Sequence, residues 1–298
     1  MGSTRFGTVL TAMVTPFSPD GSLDLDVAAT LARFLVDQGT DGLVIAGSTG
    51  EGSALSDDEK LDLFACVAGA VNVPVLAGST FANTAQSVAL TERVKGTGVA
   101  GVLATTPAYA RPSQRGIAAH FCAIAQSTAL PIMLYDIPVR TGRKLASETT
   151  IDLVRTNPNI VALKDASGDL VSAAHTKAVL GGDLDLYSGD DSLLLPFLSI
   201  GGVGIVSVAA HWASPEFSSL VRAAEKGDWS KAQMYNERLA TSCAFASTEA
   251  YPNPMPTKAA LRFLGFAVGE CRLPLGGADE TLDRTAADVV TSLQAQRG

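Results

Sequence analysis

Short apolar segments recur along the first three quarters of the chain, and amphipathic stretches separate them. Eight such segments occur at intervals of roughly 20–35 residues, over 9–14, 42–46, 73–77, 101–104, 131–135, 160–163, 184–187 and 203–206. Segments of this kind are typical of parallel strands that are buried on both faces. The stretches between them predict helices, as over 25–37, 56–68, 83–94 and 114–126.

The alternation of strands and helices predicts βαβ units. Eight such units within about 225 residues favour a closed barrel, although an open doubly wound sheet has the same pattern. After residue 228 the strand pattern stops, and 228–246, 256–264 and 281–295 read as helices separated by prolines and glycines. We therefore expect an α/β fold: a (β/α)8 TIM barrel over 1–227 and a C-terminal helical domain over 228–298.

The net charge of the chain indicates which kinds of binding partner are unfavourable. The 298 residues include 22 Lys and Arg against 30 Asp and Glu, which gives a net charge of −8. An acidic chain without a basic run is a poor binder of nucleic acids and of anionic membranes. No stretch is long and apolar enough for a membrane span, and the first 15 residues lack a clear cleavage pattern.

Cysteines and histidines give no sign of a metal site. The four cysteines are far apart and never form a C-x-x-C pair, so we expect free thiols in a reducing cytoplasm. The three histidines are never spaced as metal ligands usually are. The segment 201–204 contains three glycines but leads into a predicted strand, which argues against a dinucleotide site. The sequence predicts no metal and no cofactor.

Lys164 is the most unusual residue of the predicted strands, because it ends a run of four apolar residues. Burying an ammonium group is costly unless it is paired or neutralised. Desolvation lowers the pKa of a lysine, and a neutral amine is a nucleophile toward carbonyl carbons. One interpretation is therefore a lysine that forms a Schiff base. The alternatives are a salt bridge to Asp165 or Asp169, or a lysine that extends to the surface.

Hydroxyl groups follow the second predicted strand, in the segment Gly-Ser-Thr-Gly-Glu-Gly over 47–52. Ser48 and Thr49, flanked by glycines, can offer donors to an anion such as a carboxylate. The alternative is a tight turn whose hydroxyls cap the next helix. The segment is not a phosphate-binding P-loop, because no lysine follows the glycines.

Two tyrosines and an arginine complete the set of candidates near predicted strand ends. Tyr135 ends the fifth segment, where a phenol can relay a proton, and Arg140 can hold a carboxylate through two parallel hydrogen bonds. Tyr109 lies in a loop that two prolines keep extended. The alternatives are core packing for Tyr135, a surface salt bridge for Arg140, and an interface or surface role for Tyr109. In a barrel all these groups would meet at one end.

Taken together, these segments resemble the dihydrodipicolinate synthase branch of the pyruvate-dependent aldolase superfamily, which also contains N-acetylneuraminate lyase. The resemblance covers nearly the whole chain. The segments that carry it are 11–16, 47–51, 135–141, 164–170, 188–191, 201–207, 253–259 and 272–274. The resemblance implies a homotetramer of two dimers that joins pyruvate to L-aspartate 4-semialdehyde, a step toward diaminopimelate and lysine, without a cofactor.

The resemblance also implies a role for each candidate residue. Lys164 matches the lysine that forms an imine with pyruvate, and Ser48, Tyr135 and Tyr109 match the proton relay, with Tyr109 reaching in from a neighbouring subunit. The remaining matched positions bind substrate: Thr49 the pyruvate carboxylate, Arg140 the carboxylate of the semialdehyde, and Gly189 and Val206 the pocket wall.

The chain departs from the family pattern at a few positions. Ser48 stands where the synthases usually have threonine, and sialate lyases also have serine there. Ala82, Gln86 and Ala108 align best with an asparagine, a glutamate and a tyrosine that bind lysine in feedback-inhibited relatives. The resemblance therefore implies weak or absent inhibition by lysine.

Two other functions stay open on the sequence. One is a Schiff-base aldolase or lyase acting on a sugar-derived 2-oxo acid, such as N-acetylneuraminate or 2-keto-3-deoxy-gluconate. The other is a non-catalytic barrel that binds a carboxylate.

Overall fold

The eight apolar segments form the strands of a closed parallel barrel in the computed structural model, which describes residues 4–80, 82–246 and 248–297. The strands are β1 (Val9–Ala12), β2 (Gly42–Ile45), β3 (Val75–Gly78), β4 (Gly101–Thr105), β5 (Ile132–Asp136), β6 (Ile160–Asp165), β7 (Asp185–Ser188) and β8 (Gly204–Ser207). Each strand overlaps the segment that predicted it. The predicted barrel is confirmed.

Pairing of the first and last strands closes the sheet. Val9 of β1 lies opposite Ile205 of β8, and Thr11 lies opposite Ser207. All neighbouring strands run parallel, in the order of the sequence. This closure excludes the open doubly wound sheet, whose edge strands would each have only one neighbour.

Helices follow the strands and cover the outside of the barrel. They are α1 (Leu25–Asp37), α2 (Asp57–Ala70), α3 (Thr84–Arg93), α4 (Gln114–Gln126), α5 (Pro138–Thr141), α6 (Ser147–Thr156), α7 (Leu170–Leu180), α8 (Leu194–Ser199), α9 (Ala210–Glu225), α10 (Trp229–Ala246), α11 (Met255–Phe263) and α12 (Glu280–Ala295). Capping residues in the sequence determine where several of these helices begin. Asp24 caps α1, and Ser56 with Glu59 forms a capping box at α2.

The last helices pack against one side of the barrel. One core cluster joins Ile205 of β8 to Leu220 of α9, Leu239 of α10 and Val290 of α12. The expected domain boundary, between residues 227 and 228, falls in the turn between α9 and α10. The division into two domains stays a prediction. None of the helices in the described parts of the chain is both long and apolar enough to cross a membrane.

Candidate active site

Six of the eight predicted site residues line one cavity at the carboxyl ends of the strands. The cavity has a volume of about 330 Å³, and the six are Ser48, Thr49, Tyr135, Arg140, Lys164 and Gly189. Parallel strands of a barrel deliver their following loops to the same end, so residues far apart in sequence meet there. A second, adjoining cavity shares Ser48, Ile137 and Arg140 with the first.

Lys164 is buried near the end of β6, with 5% of its surface exposed. Its Nζ lies 4.2 Å from the centre of the Tyr135 ring, and Tyr135 is its register neighbour on β5. Burial lowers the pKa of Lys164 to about 8; the charge of Asp191 opposes the shift and that of Arg140 adds to it. The amine is therefore partly neutral near physiological pH.

Neither proposed salt-bridge partner neutralises Lys164. Asp169 caps α7 and forms an ion pair with Lys144. Asp165 accepts a hydrogen bond from the backbone N–H of Ser167. In the part of the chain that the structure describes, no carboxylate lies within ion-pair distance of Lys164. Its burial also excludes a lysine that extends to the surface, so the geometry favours the nucleophile.

The pKa of Lys164 makes the rate of imine formation depend on pH. With a pKa of about 8, roughly one amine in ten is neutral at pH 7 and half are neutral at pH 8. We expect the initial rate of borohydride trapping with pyruvate to rise about fivefold between pH 7 and pH 8 and to level off above pH 9. A rate that climbs tenfold per pH unit up to pH 10 would mean an ordinary lysine.

Tyr135 is buried beside the lysine and lines the cavity. Burial raises the pKa of Tyr135 to about 12, although the Arg140 charge and a hydrogen bond with Ser48 lower it. The phenol is therefore protonated at neutral pH. Its contact with Ser48 brings together two hydroxyls of the predicted proton relay.

The turn after β2 places Ser48 and Thr49 at the cavity. Thr49 is buried, and its Oγ1 accepts a hydrogen bond of 2.9 Å from Nδ2 of Asn253. The bond leaves the hydrogen of the Thr49 hydroxyl free to donate to an anion. Arg140 lies in the short helix α5, and its Nη2 donates to the carbonyl of the same Asn253 at 3.2 Å.

Gly189 lies where β7 leads into the cavity, and the space beside it is too small for a side chain. A Cβ at this position would lie 2.9 Å from the Cβ of Ala166 and 3.1 Å from Cγ of Lys164. The backbone N–H of Gly189 donates to the carbonyl of Asp165 at 2.7 Å. Glycine therefore lets β7 approach the lysine stem closely.

Two of the cavity-lining residues that had no role in the sequence reasoning act on predicted site residues. Asp191 accepts hydrogen bonds from the backbone N–H groups of Val208 and Ala209, before α9, and its charge acts on Lys164. Asn253 joins Thr49 to Arg140, as described above. Asn253 lies in the segment 253–259, which is one of those that resemble the family. A polar residue between two prolines was the sequence feature that could have singled it out.

Two predicted residues lie outside this cavity. Val206 belongs to the apolar cluster inside the barrel, together with Tyr135, and Val208 lines the cavity from that part of the chain. Tyr109 is 96% exposed, with a left-handed backbone at φ 68°. It does not line the cavity of its own chain, and its predicted reach into a neighbouring subunit stays a prediction.

The sequence pattern of the "Dihydrodipicolinate synthetase family" matches residues 5–293. The chain belongs to this family. The 4-hydroxy-tetrahydrodipicolinate synthase of Moorella thermoacetica is 46% identical over 92% of this chain and 94% of its own. The synthase of Bacillus subtilis is 44% identical over 91% of this chain and 93% of its own.

Solved structures of family members have the same fold. A dihydrodipicolinate synthase of Cyanidioschyzon merolae, solved with lysine bound, superposes with a TM-score of 0.94 at 39% identity, over 98% of this chain and 99% of that one. A dihydrodipicolinate synthase from Bacillus anthracis superposes with a TM-score of 0.92 at 39% identity, over 96% of this chain and 98% of that one. The similarity extends over the barrel and the C-terminal helices alike.

The second cavity contains two of the positions at which the chain departs from the family pattern. It has a volume of about 440 Å³, and Ala82 and Ala108 line it. Gln86 is exposed on α3 and does not line it. Methyl groups therefore stand at two of the three positions where the resemblance implies polar partners for lysine.

Proposed function

We propose that the chain is a 4-hydroxy-tetrahydrodipicolinate synthase, a lyase that condenses pyruvate with L-aspartate 4-semialdehyde. The observation that carries the proposal is the buried Lys164 beside Tyr135, in a cavity that also holds Ser48, Thr49 and Arg140. No carboxylate of the described residues forms an ion pair with this lysine. Curated relatives of that name, 42–47% identical over most of the chain, support it.

The reaction begins at the amine of Lys164. Its neutral form attacks the C2 carbonyl carbon of pyruvate, and loss of water gives an imine. Thr49 binds the pyruvate carboxylate through its free hydroxyl hydrogen, since its oxygen already accepts from Asn253. This contact fixes the ketone beside Nζ, which raises the effective concentration of the reacting groups.

Proton transfers follow through the hydroxyl groups. The protonated imine withdraws electrons, so a methyl proton leaves and an enamine forms. Tyr135 and Ser48 relay this proton, because both line the cavity and Ser48 lies close enough to lower the pKa of the Tyr135 phenol. A phenol with a pKa of about 12 passes protons along hydrogen bonds rather than acting as a free phenolate.

The enamine carbon then attacks the aldehyde carbon of the semialdehyde, which forms the new C–C bond. Arg140 receives the carboxylate of the semialdehyde. The amino group of that substrate next attacks the imine carbon, closes the ring and releases the Lys164 amine. The product is 4-hydroxy-tetrahydrodipicolinate.

The proposal includes an assembly and a location. Tyr109 is exposed and held by a left-handed backbone, which suits a side chain that completes the relay of a neighbouring subunit. We propose a homotetramer built as two dimers. Four free cysteines suit a reducing compartment, so we place the protein in the cytoplasm.

A coupled assay tests the proposed function. Purified protein is incubated with pyruvate and L-aspartate 4-semialdehyde, and the product is reduced by a dihydrodipicolinate reductase with oxidation of NADPH. We expect oxidation that requires both substrates. If pyruvate is trapped on the protein but no condensation occurs, the acceptor is a different aldehyde and the proposed function is wrong.

Arg140→Ala is expected to raise the KM for the semialdehyde about tenfold to a hundredfold, since a charge-assisted contact contributes about 1.5–3 kcal/mol. The KM for pyruvate should change far less. Arg143→Ala is the matched control, because Arg143 follows α5 but does not line the cavity. Equal changes in both KM values for Arg140→Ala would indicate a structural role.

Lysine is expected to have little effect on the rate. With alanine at 82 and 108, the ammonium and carboxylate of lysine lose partners in the second cavity. Each lost charge-assisted bond weakens binding by about 1.5–3 kcal/mol. The coupled assay with added L-lysine measures the outcome, and inhibition at micromolar lysine would contradict the expectation.

A further inference from the structure

The turn that carries Ser48 and Thr49 is strained at both ends. Ala46 and Glu51 have φ angles of 50° and 52°, in the left-handed region that side chains rarely adopt. The turn is also tightly folded, since a Cβ on Gly52 would lie 2.1 Å from the carbonyl oxygen of Ala46. A conformation of this kind persists only when its surroundings hold it. Thr15 donates to the carbonyl of Gly50 and Asn253 donates to Thr49, so each holds part of the turn. The contacts of the Glu51 side chain hold its far end.

Glu51 is held by a buried ion pair with Lys258 of α11. Nζ of Lys258 lies 2.7 Å from Oε1 of Glu51, and 1% of each side chain is exposed. The other carboxylate oxygen of Glu51 accepts a hydrogen bond of 2.8 Å from the backbone N–H of Arg272. Lys258 also donates to the carbonyl of Glu270 and packs over the ring of Phe17. Both oxygens of Glu51 are thus fixed by the C-terminal part of the chain.

The same short stretch, residues 253–258, contacts the site at further points. Asn253 donates to Thr49, and its carbonyl accepts from Arg140. Lys258 lies five residues later and holds the end of the hydroxyl turn. Neither Glu51 nor Lys258 lines the cavity around Lys164. Glu51 lines only the adjoining second cavity. The pair therefore does not touch the groups around Lys164, and it acts on them through the turn and through the stretch that carries Asn253.

We propose that the Glu51–Lys258 ion pair is a positioning device that keeps the hydroxyl turn in its strained, active geometry. The inference rests on the proposed function, because Ser48 and Thr49 act there on pyruvate. Without the pair, the hydrogen bond from Arg272 remains the contact on the Glu51 carboxylate, and the strained backbone at Glu51 can relax. Ser48 then moves away from Tyr135, and Thr49 moves away from the pyruvate carboxylate. Lys164 lies on β6 and stays in place.

The test compares Glu51→Gln and Lys258→Met with wild type in three measurements. These are the KM for pyruvate, the amount of pyruvate trapped by borohydride at saturation, and the exchange of pyruvate methyl protons with deuterated water. We expect the KM to rise and the exchange per trapped imine to slow, each by about tenfold to a hundredfold, as for a misplaced catalytic group. The trapped amount should stay at one per site.

Glu216→Gln is the matched control. Glu216 is buried on α9 and pairs with Arg297 at 2.6 Å, and it does not line the cavity. It should lower the unfolding temperature and leave the KM and the exchange rate unchanged. If Glu51→Gln and Lys258→Met behave in the same way, the pair is only structural and the inference is wrong.

The double variant Glu51→Gln/Lys258→Met separates positioning from stability. Removing both charges leaves no unpaired buried ion, so its unfolding temperature should exceed that of Lys258→Met. Its KM for pyruvate should nevertheless stay raised, and a wild-type KM would overturn the inference even if the single variants fail to fold. If wild type itself neither traps pyruvate nor exchanges its protons, the proposed function fails and the inference falls with it.

Discussion

Lys164→Ala is expected to reduce kcat/KM for the condensation by at least about 10³-fold, since the loss of a covalent nucleophile removes the whole reaction path. Among the described residues that line the cavity, no second lysine can replace it. Trapping of pyruvate should disappear as well. The coupled assay and the mass of the borohydride-treated protein measure both effects.

The control for this variant is Lys177→Ala. Lys177 lies on α7 and donates to the carbonyls of Gly181 and Leu184, outside the cavity. Its loss should affect stability alone, with trapping and rate as in wild type. If Lys164→Ala keeps the wild-type rate within about tenfold, the imine mechanism is excluded.

Tyr135→Phe is expected to lower kcat by about 10²–10⁴-fold, the range for a lost proton-transfer group. Phenylalanine keeps the ring that packs beside Nζ of Lys164, so the imine should still form and be trapped. The fall in kcat should therefore appear in methyl-proton exchange and in condensation. Methyl-proton NMR in deuterated water and the coupled assay measure these two steps.

Tyr187→Phe is the matched control for Tyr135→Phe, because it removes the hydroxyl of another buried tyrosine. Tyr187 is also buried inside the barrel, but its hydroxyl donates to the carbonyl of Gly7 at 2.8 Å, before β1. Losing this bond should destabilise the fold and leave the exchange rate unchanged. If both variants exchange pyruvate protons at the wild-type rate, Tyr135 is a packing residue and the relay must use other groups.

The barrel was predictable because its strands are buried on both faces. Side chains inside the barrel and beneath the helices are equally apolar, so each strand stands out as a continuous run. The helix over 25–37 matched α1 because apolar spacing and the Asp24 cap agree. The predicted sixth segment ended at residue 163, whereas β6 extends to Asp165. Lys164 and Asp165 still pair with β7, but their side chains are polar and so do not continue the apolar run.

The residues that we propose to react could be singled out in the sequence for a related reason. Lys164 conflicts with its apolar surroundings, and Ser48 and Thr49 follow a strand directly. Local sequence shows such conflicts, and the end of a barrel strand gives them a common place. Tyr109 shows the limit of this reasoning, because its predicted partner surface is on another copy of the chain.

The residues that hold the site in position were not predictable in the same way. Lys258 lies between Thr257 and Ala259 in α11, and nothing in this local sequence indicates a carboxylate partner. Lys258 meets Glu51 only because α11 packs against the turn after β2, and the two residues are more than 200 positions apart in the sequence. Asp191 and Asn253 likewise acquire their roles from elements that are distant in the chain.

The most direct test of the mechanism is to locate the pyruvate adduct. The wild-type protein is incubated with pyruvate, treated with borohydride, digested and mapped by mass spectrometry. The account predicts one reduced pyruvate per chain, attached to Nζ of Lys164. An adduct on any other lysine, or a chain that remains unmodified at saturating pyruvate, would contradict it.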